Sequence, residues 1–280
     1  VSDAIRFLKG HGTENDFVLL PDPDGTLGRP SPELVRALCD RRAGIGADGV
    51  MRVVRTDATD DPDAIAARGQ ATWFMDYHNA DGSTSEMCGN GIRVFAEHLR
   101  AEGLIDPAEP LAVATRGGVK TLTCSEGVFT VDMGRPTVVG DRTWVEVAGR
   151  RWPATHVSMG NPHAVVFVDD LADAGPLLDP PGRDTGVYPD GVNVEFVVRR
   201  GPRHVAMRVH ERGSGETRSC GSGACAVMVA AAVADGLGPG TTYAVDVPGG
   251  RLEVTWTPED RALLTGPAVL VAEGYWFDVR

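Results

Sequence analysis

The sequence predicts a strand-rich α/β protein built as two similar halves, and three observations carry that prediction. Short runs that alternate apolar and polar residues, from IRFLK at 5–9 to AVLVA at 268–272, far outnumber helical patterns. The stretch MCGNG at 87–91 has a counterpart in SCGSG at 219–223, nearly half the chain away, and each opens an apolar segment. A chain of 280 residues is long enough to bury two ordinary cores.

Taken in order, IRFLK and DFVLL (16–20) read as strands. Ser31-Pro32-Glu33 then supplies a cap, a first-turn proline and an acid, which predicts a helix to about Arg42. VMRVV (50–54) and ATWFMDY (71–77) are strands before a second helix, from Gly89 to a stop at Gly103. VKTLTC (119–124) and VFTVDM (128–133) follow, and GRP at 134–136 interrupts the strands, which sets the boundary between halves near Met133 to Val139. The second half repeats the order. WVEVAG, AVVFV, VNVEFVV and HVAMRVH precede a third helix, from Gly221 to Gly236, and YAVDV and LEVTW flank a hairpin turn at PGG 248–250.

Composition removes several function classes. A formal net charge of -12 offers nothing to nucleic acid or an anionic membrane, so neither is expected as a partner. No basic flank and apolar core open the chain, and its most apolar stretch, 224–234, is too short to span a bilayer. Five cysteines without zinc-like spacing suggest a reduced, cytoplasmic protein with no metal. The two lysines, Lys9 beside a Gly-His-Gly turn and Lys120 in a strand, lack the setting of a Schiff-base lysine, so no cofactor is expected.

Cys88 and Cys220 each precede Gly-x-Gly at a helix start. Unpaired amides at a helix N-terminus favour a thiolate and can hold a carboxylate, which predicts a thiol pKa drawn down toward neutral. Two helix ends on one carboxylate would place a sulfur on each side of the adjacent carbon. One thiolate would take the α-proton and the opposite thiol would return one, which inverts the centre. A cysteine before a helix is ordinarily a small buried hydrophobe, and the repetition in matching positions is what argues otherwise. Cys39, Cys124 and Cys225, inside a helix, a strand and a helix, are read as core.

With HGTENDFVLL, GIGADG, NADGS, MCGNG, MGNPHAV, VNVEFV and ERGSGETRSCGSGACA in this order, the whole chain resembles the diaminopimelate epimerases, cofactor-independent enzymes of bacterial lysine and cell-wall synthesis. The resemblance implies two pseudo-symmetric domains, each a β-barrel-like sheet around a central helix, at residues 1–133 and 134–265, with 266–280 returning to the first. It implies LL-2,6-diaminopimelate as the substrate converted to the meso form, Cys88 and Cys220 as the acid/base pair, and a homodimer. Gly89, Asn90, Gly221 and Ser222 would hold the reacting carboxylate. Asn15, Asn79, Asn161, Asn193, Glu211 and Arg212 would grip the rest of the amino acid, and His163 and Glu211 would tune the thiols. Three residues depart from the family pattern: Glu14 and Gly49, where many or some relatives have glycine and glutamine, and Ser222, a common threonine.

Two alternatives stand beside this reading. One is an amino-acid racemase of the same fold with another substrate, such as proline or histidine. The other is a thiol redox protein cycling a Cys88–Cys220 disulfide, which leaves the asparagines, Glu211 and Arg212 without a role. The related phenazine-pathway isomerases lack the cysteine pair.

Overall fold

The computed structural model describes residues 4–277. The chain divides by backbone contacts into two compact units, residues 1–131 with 267–280, and residues 132–266. The elements run β1 (Ile5–Gly12), β2 (Asn15–Pro21), α1 (Pro32–Cys39), β3 (Gly49–Arg55), α2 (Pro62–Ala66), β4 (Trp73–Asn79), α3 (Gly89–Ala101), β5 (Leu111–Thr115), β6 (Gly118–Ser125) and β7 (Val128–Gly134). They continue with β8 (Thr137–Val147), β9 (Arg150–Ser158), β10 (Pro162–Phe167), a 3-10 turn (Leu171–Ala174), β11 (Gly182–Arg183), β12 (Asn193–Gly201), β13 (His204–Glu211) and β14 (Gly215–Thr217). Last come α4 (Gly221–Ala234), β15 (Thr241–Val247), β16 (Gly250–Trp256), β17 (Ala262–Pro267) and β18 (Val269–Trp276).

In the first unit β18 pairs antiparallel with β1, and β1 with β2. β2 runs parallel to β3, β3 antiparallel to β4, β4 parallel to β5, and β5, β6 and β7 form a meander. The second unit repeats the sequence of pairings: β8–β9–β10 antiparallel, β10 parallel to β12, β12–β13 antiparallel, β13 parallel to β15, then β15–β16–β17 antiparallel. β18 therefore holds in the first unit the place that β8 holds in the second. The strand-rich α/β architecture and its duplication follow the expectation.

Each unit wraps its sheet on one helix. α3 packs on β1, β2, β3 and β18, and α4 packs on β9, β10, β12, β13, β15 and β16. α4, GSGACAVMVAAAVA, is apolar on all faces, and ten consecutive residues from Gly223 to Ala232 are buried. Both helices close alike. Gly103 and Gly236 take positive φ of 67° and 69°, the amides of Leu104 and Leu237 reach back to the carbonyls of Leu99 and Ala232, and those of Gly103 and Gly236 to Arg100 and Val233. Among the described residues no helix is long and apolar enough to cross a membrane.

The structure corrects several details. α1 ends at Cys39, short of Arg42, because the Asp40 carboxylate accepts the amides of Arg42 and Ala43 and turns the chain. β9 escapes sequence patterning because Pro153 interrupts RRWPATHVS, yet Trp152 and Ala154 point inward while Pro153 faces out. α2, β5 and β17 are likewise present where no element was expected. Cys39 and Cys225 are buried as expected, with burial pushing the Cys39 thiol up to about 12, whereas Cys124 is only half-buried in β6.

Candidate active site

Cys88 and Cys220 are the N-cap residues of α3 and α4. Both adopt extended backbone, with φ of -136° and -126°, and each sulfur accepts the amide three residues on, Gly91 N at 3.3 Å and Gly223 N at 3.4 Å. A thiol here does what serine or aspartate does at other helix starts. Glycines flank the second residue after each cysteine and carry no side chains over the helix end, whose amides are donors of the kind that hold an anion.

Around Cys88 the neighbours are amides. Asn15, the first residue of β2, brings Oδ1 to 3.6 Å from Sγ and accepts from Asn90 Nδ2 at 3.2 Å. Asn15 Nδ2 donates to Asp48 Oδ2 at 2.7 Å, and Asn90 Oδ1 accepts from the buried Arg93 at 2.6 Å. Asp48 is braced by Arg41, which also grips Asp16, and Lys9 pairs with Asp16 from the other side. Burial, then the Asp16 charge, push the Asp48 carboxyl up, while Arg41 and Lys9 outweigh burial at Asp16 and hold it down at about 2.

Around Cys220 the neighbours are acids. Glu211, at the end of β13, hydrogen-bonds Cys220 and accepts from the Thr217 hydroxyl. Ser222 Oγ lies 3.6 Å from the sulfur. Glu195 Oε1 sits close under the helix start, 2.8 Å from where a Cβ on Gly223 would stand. Burial, then the charges of Glu211 and Glu195, raise the Cys220 thiol well above its ordinary value. This corrects the expectation that a helix N-terminus would draw this thiol toward neutral: the amide at Gly223 acts in that direction, but desolvation and two carboxylates outweigh it.

The fully buried His163 contacts Glu195 Oε1 through Nδ1 at 2.6 Å and Asn161 Oδ1 through Nε2 at 3.1 Å. Parallel pairing of β10 with β12 sets His163 beside Asn193, and Asn193 Oδ1 accepts the Arg212 amide at 2.8 Å. The exposed Arg212 lines a small open pocket with Arg183 and His210. The structure thus gathers Asn15, Cys88, Gly89 and Asn90 in one unit, and Asn161, His163, Asn193, Glu211, Arg212, Cys220, Gly221 and Ser222 in the other. The Asn79 side chain donates to Ser83 within its own turn, and strand register places Asn79 beside Gly49, with the next amide, Ala80 N, on the Asp48 carbonyl. Gly49 has no room for a side chain, since a Cβ would lie 2.5 Å from the His78 carbonyl oxygen. Glu14 adopts a φ of 62°, the left-handed region in which glycine is unstrained. Glu195 and Asp48 escaped the sequence reading.

The profile of the family described as diaminopimelate epimerase matches residues 7–139 and 155–271. The chain belongs to the diaminopimelate epimerase family. It is 59% identical to the diaminopimelate epimerase of Streptomyces coelicolor, over 98% of this chain and 96% of the relative. It is 47% identical to that of Thermobifida fusca, over 99% and 98%, and 46% identical to that of Mycolicibacterium smegmatis, over 96% and 95%. Among solved structures, a phenazine biosynthesis protein of the PhzF family from Bacillus anthracis superposes with a TM-score of 0.70 at 17% identity, covering 98% of this chain and 99% of that one. A hydroxyproline epimerase from Agrobacterium vitis, with bound trans-4-hydroxy-L-proline, gives 0.68 at 15%, covering 98% and 93%. These two show the shared fold. Like its diaminopimelate epimerase relatives, the chain is an isomerase, and the residues above are its candidate machinery.

Proposed function

We propose that the protein converts LL-2,6-diaminopimelate to the meso isomer with Cys88 and Cys220 as acid and base, without a cofactor, in supply of lysine and peptidoglycan precursors. The observation that carries this reading is the duplicated sulfur-capped helix start, one thiol per unit, in a chain whose relatives share that name. Inversion requires the two sulfurs to address opposite faces of one carbon. The thiolate of one forms an S–H bond with the α-proton, and the electrons left behind move into the carboxylate as an enediolate. The other thiol then delivers its proton to the opposite face and becomes the thiolate. The reverse reaction starts from that state.

The helix-start amides at Gly89-Asn90 and Gly221-Ser222 are suited to the charge that builds on the carboxylate. Cys220, whose proton is held by burial and two acids, starts as the donor. His163 and Glu211 tune the thiols. Asn15, Asn79, Asn161 and Asn193 supply acceptors and donors for the amino and carboxyl groups, and Arg212 supplies a charged fork for the distal carboxylate. A small amino acid is then the sole molecular partner apart from a second copy of the chain, and a cytoplasmic homodimer follows the family precedent.

Proton NMR of LL-diaminopimelate in D2O with reduced protein and no additive tests this. The reading expects loss of the α-proton signal with growth of the meso isomer. No exchange with this substrate, but exchange with proline, hydroxyproline or another amino acid, would replace it with a racemase of different specificity.

A further inference from the structure

The amide cluster at Cys88 has a direction. Arg93 can only donate, so the oxygen of Asn90 faces it, at 2.6 Å. Asn90 must then turn its NH2 toward Asn15, and it does so at 3.2 Å. At the far end Asp48 offers a carboxylate, an acceptor, and takes the NH2 of Asn15 at 2.7 Å. A cation at one end and an anion at the other therefore fix both amides, with no freedom to exchange O for N. The consequence falls on the sulfur beside this chain. Cys88 Sγ lies 3.6 Å from Asn15 Oδ1, and a carbonyl oxygen there accepts from S–H but repels a thiolate.

We propose that Asp48 is a positioning residue: by holding the Asn15 amide with its carbonyl toward Cys88, it keeps that sulfur protonated while the site is empty. An incoming ammonium group, competing for the same oxygen, would release the thiol to ionise. The inference deepens the two-thiol reading and rests on it for its purpose, though not for its test. Asp48 is well placed for the task. Its other oxygen is tied to Arg41 at 2.7 Å, and its Oδ2 also accepts the Asp16 amide at 3.2 Å, so the carboxylate is anchored before it meets Asn15.

The test is the rate at which iodoacetamide alkylates Cys88 at fixed neutral pH, read by peptide mass mapping on the full chain. In Asp48→Asn the charged acceptor is lost, so only Asn90 still holds the Asn15 oxygen in place. A fraction of Asn15 amides can then turn their NH2 to the sulfur, and in that fraction thiolate is favoured. The rate should rise roughly two- to tenfold, the worth of one hydrogen bond. Asp16→Asn removes a neighbouring charge but leaves the acceptor of Asn15 in place, and should stay within about twofold of the parent. Equal acceleration in both variants would assign the effect to charge alone, and no acceleration in Asp48→Asn would remove Asp48 from the argument; either overturns the proposal. Should Asp48→Asn lose its cooperative melt, Asp48→Ser, smaller and equally unable to act as a carboxylate, is read against the same two outcomes. Because alkylation is scored without turnover, failure to epimerise diaminopimelate would sink the functional reading and leave this result standing.

Discussion

The two sulfur-capped helix starts share a backbone, down to the amide each sulfur accepts, and differ in the side chains described around the sulfur. At α3 the thiol is half-buried among neutral amides backed by an arginine, whereas at α4 it is buried beside two carboxylates. The repeated pairing order of the two sheets keeps the same device, a thiol capping a helix start, while the residues behind it differ. Shared geometry supplies two like groups, while burial and two carboxylates raise the Cys220 thiol alone in that way; under the proposed reading, unlike surroundings of this kind suit an acid and a base.

The strongest way to break this comparison is to remove each sulfur in turn. Cys88→Ala and Cys220→Ala should each lower kcat/KM for epimerisation by about a thousandfold or more, within the range for loss of a general acid or base. If one variant kept near-parental rates by NMR, the pairing would be wrong.

Acid should next separate the units. In the first, the buried Asp76 pairs with His78 and Arg116, whose bonds outweigh burial and hold it at about 2, below an ordinary 3.8. A depressed carboxylate contributes stability above its unfolded pKa that is lost as pH falls from about 4 through about 2, here on the order of 2 kcal/mol. Glu211 in the second unit is raised, chiefly by burial, so its contribution is complete below the unfolded value and fades as pH rises. Hydrogen exchange between pH 4 and 2 should therefore show β3 and β4 losing protection before β12 and β13.

A smaller effect isolates one acid. Glu211→Gln removes a charge that raises Cys220, so the pH of half-maximal alkylation at Cys220 should fall while that of Cys88 stays put. The smallest effect should be equal in both halves. Gly103→Ala and Gly236→Ala each force a side chain into positive φ where nothing crowds it, and each should cost about 1 kcal/mol in urea unfolding. Unequal losses would mean that the two helix ends are less alike than their hydrogen bonds suggest.

Much of this was legible in the sequence because it repeats. Cys88 and Cys220 announce themselves by recurring before Gly-x-Gly, and α3 and α4 by the glycines that stop them. What stayed hidden depends on partners distant in sequence. Glu195 reads as a polar position in an alternating strand, yet Asn193 to Val198 are all buried, and its meaning comes from His163 on β10 and the start of α4. The signal that could have found it is an acid inside a strand apolar on both faces. Asp48 is likewise an ordinary loop residue until β2 and β3 pair and bring Asn15 to it. β9 was hidden by Pro153, which sits where the strand has β8 on one side and its pairing with β10 starts only at Thr155.

The place of β18 has a consequence for biosynthesis. The second unit is one unbroken segment, residues 132–266, whereas the first waits for β18 to cover β1. A chain growing on the ribosome therefore completes its second lobe while its first still lacks an outer strand, reversing the usual N-terminal-first order. Nascent chains arrested after residue 266 had left the exit tunnel should yield a protease-resistant fragment from 132 onward and none from the residues before it. Equal resistance of both segments would show that β1 does not need its partner.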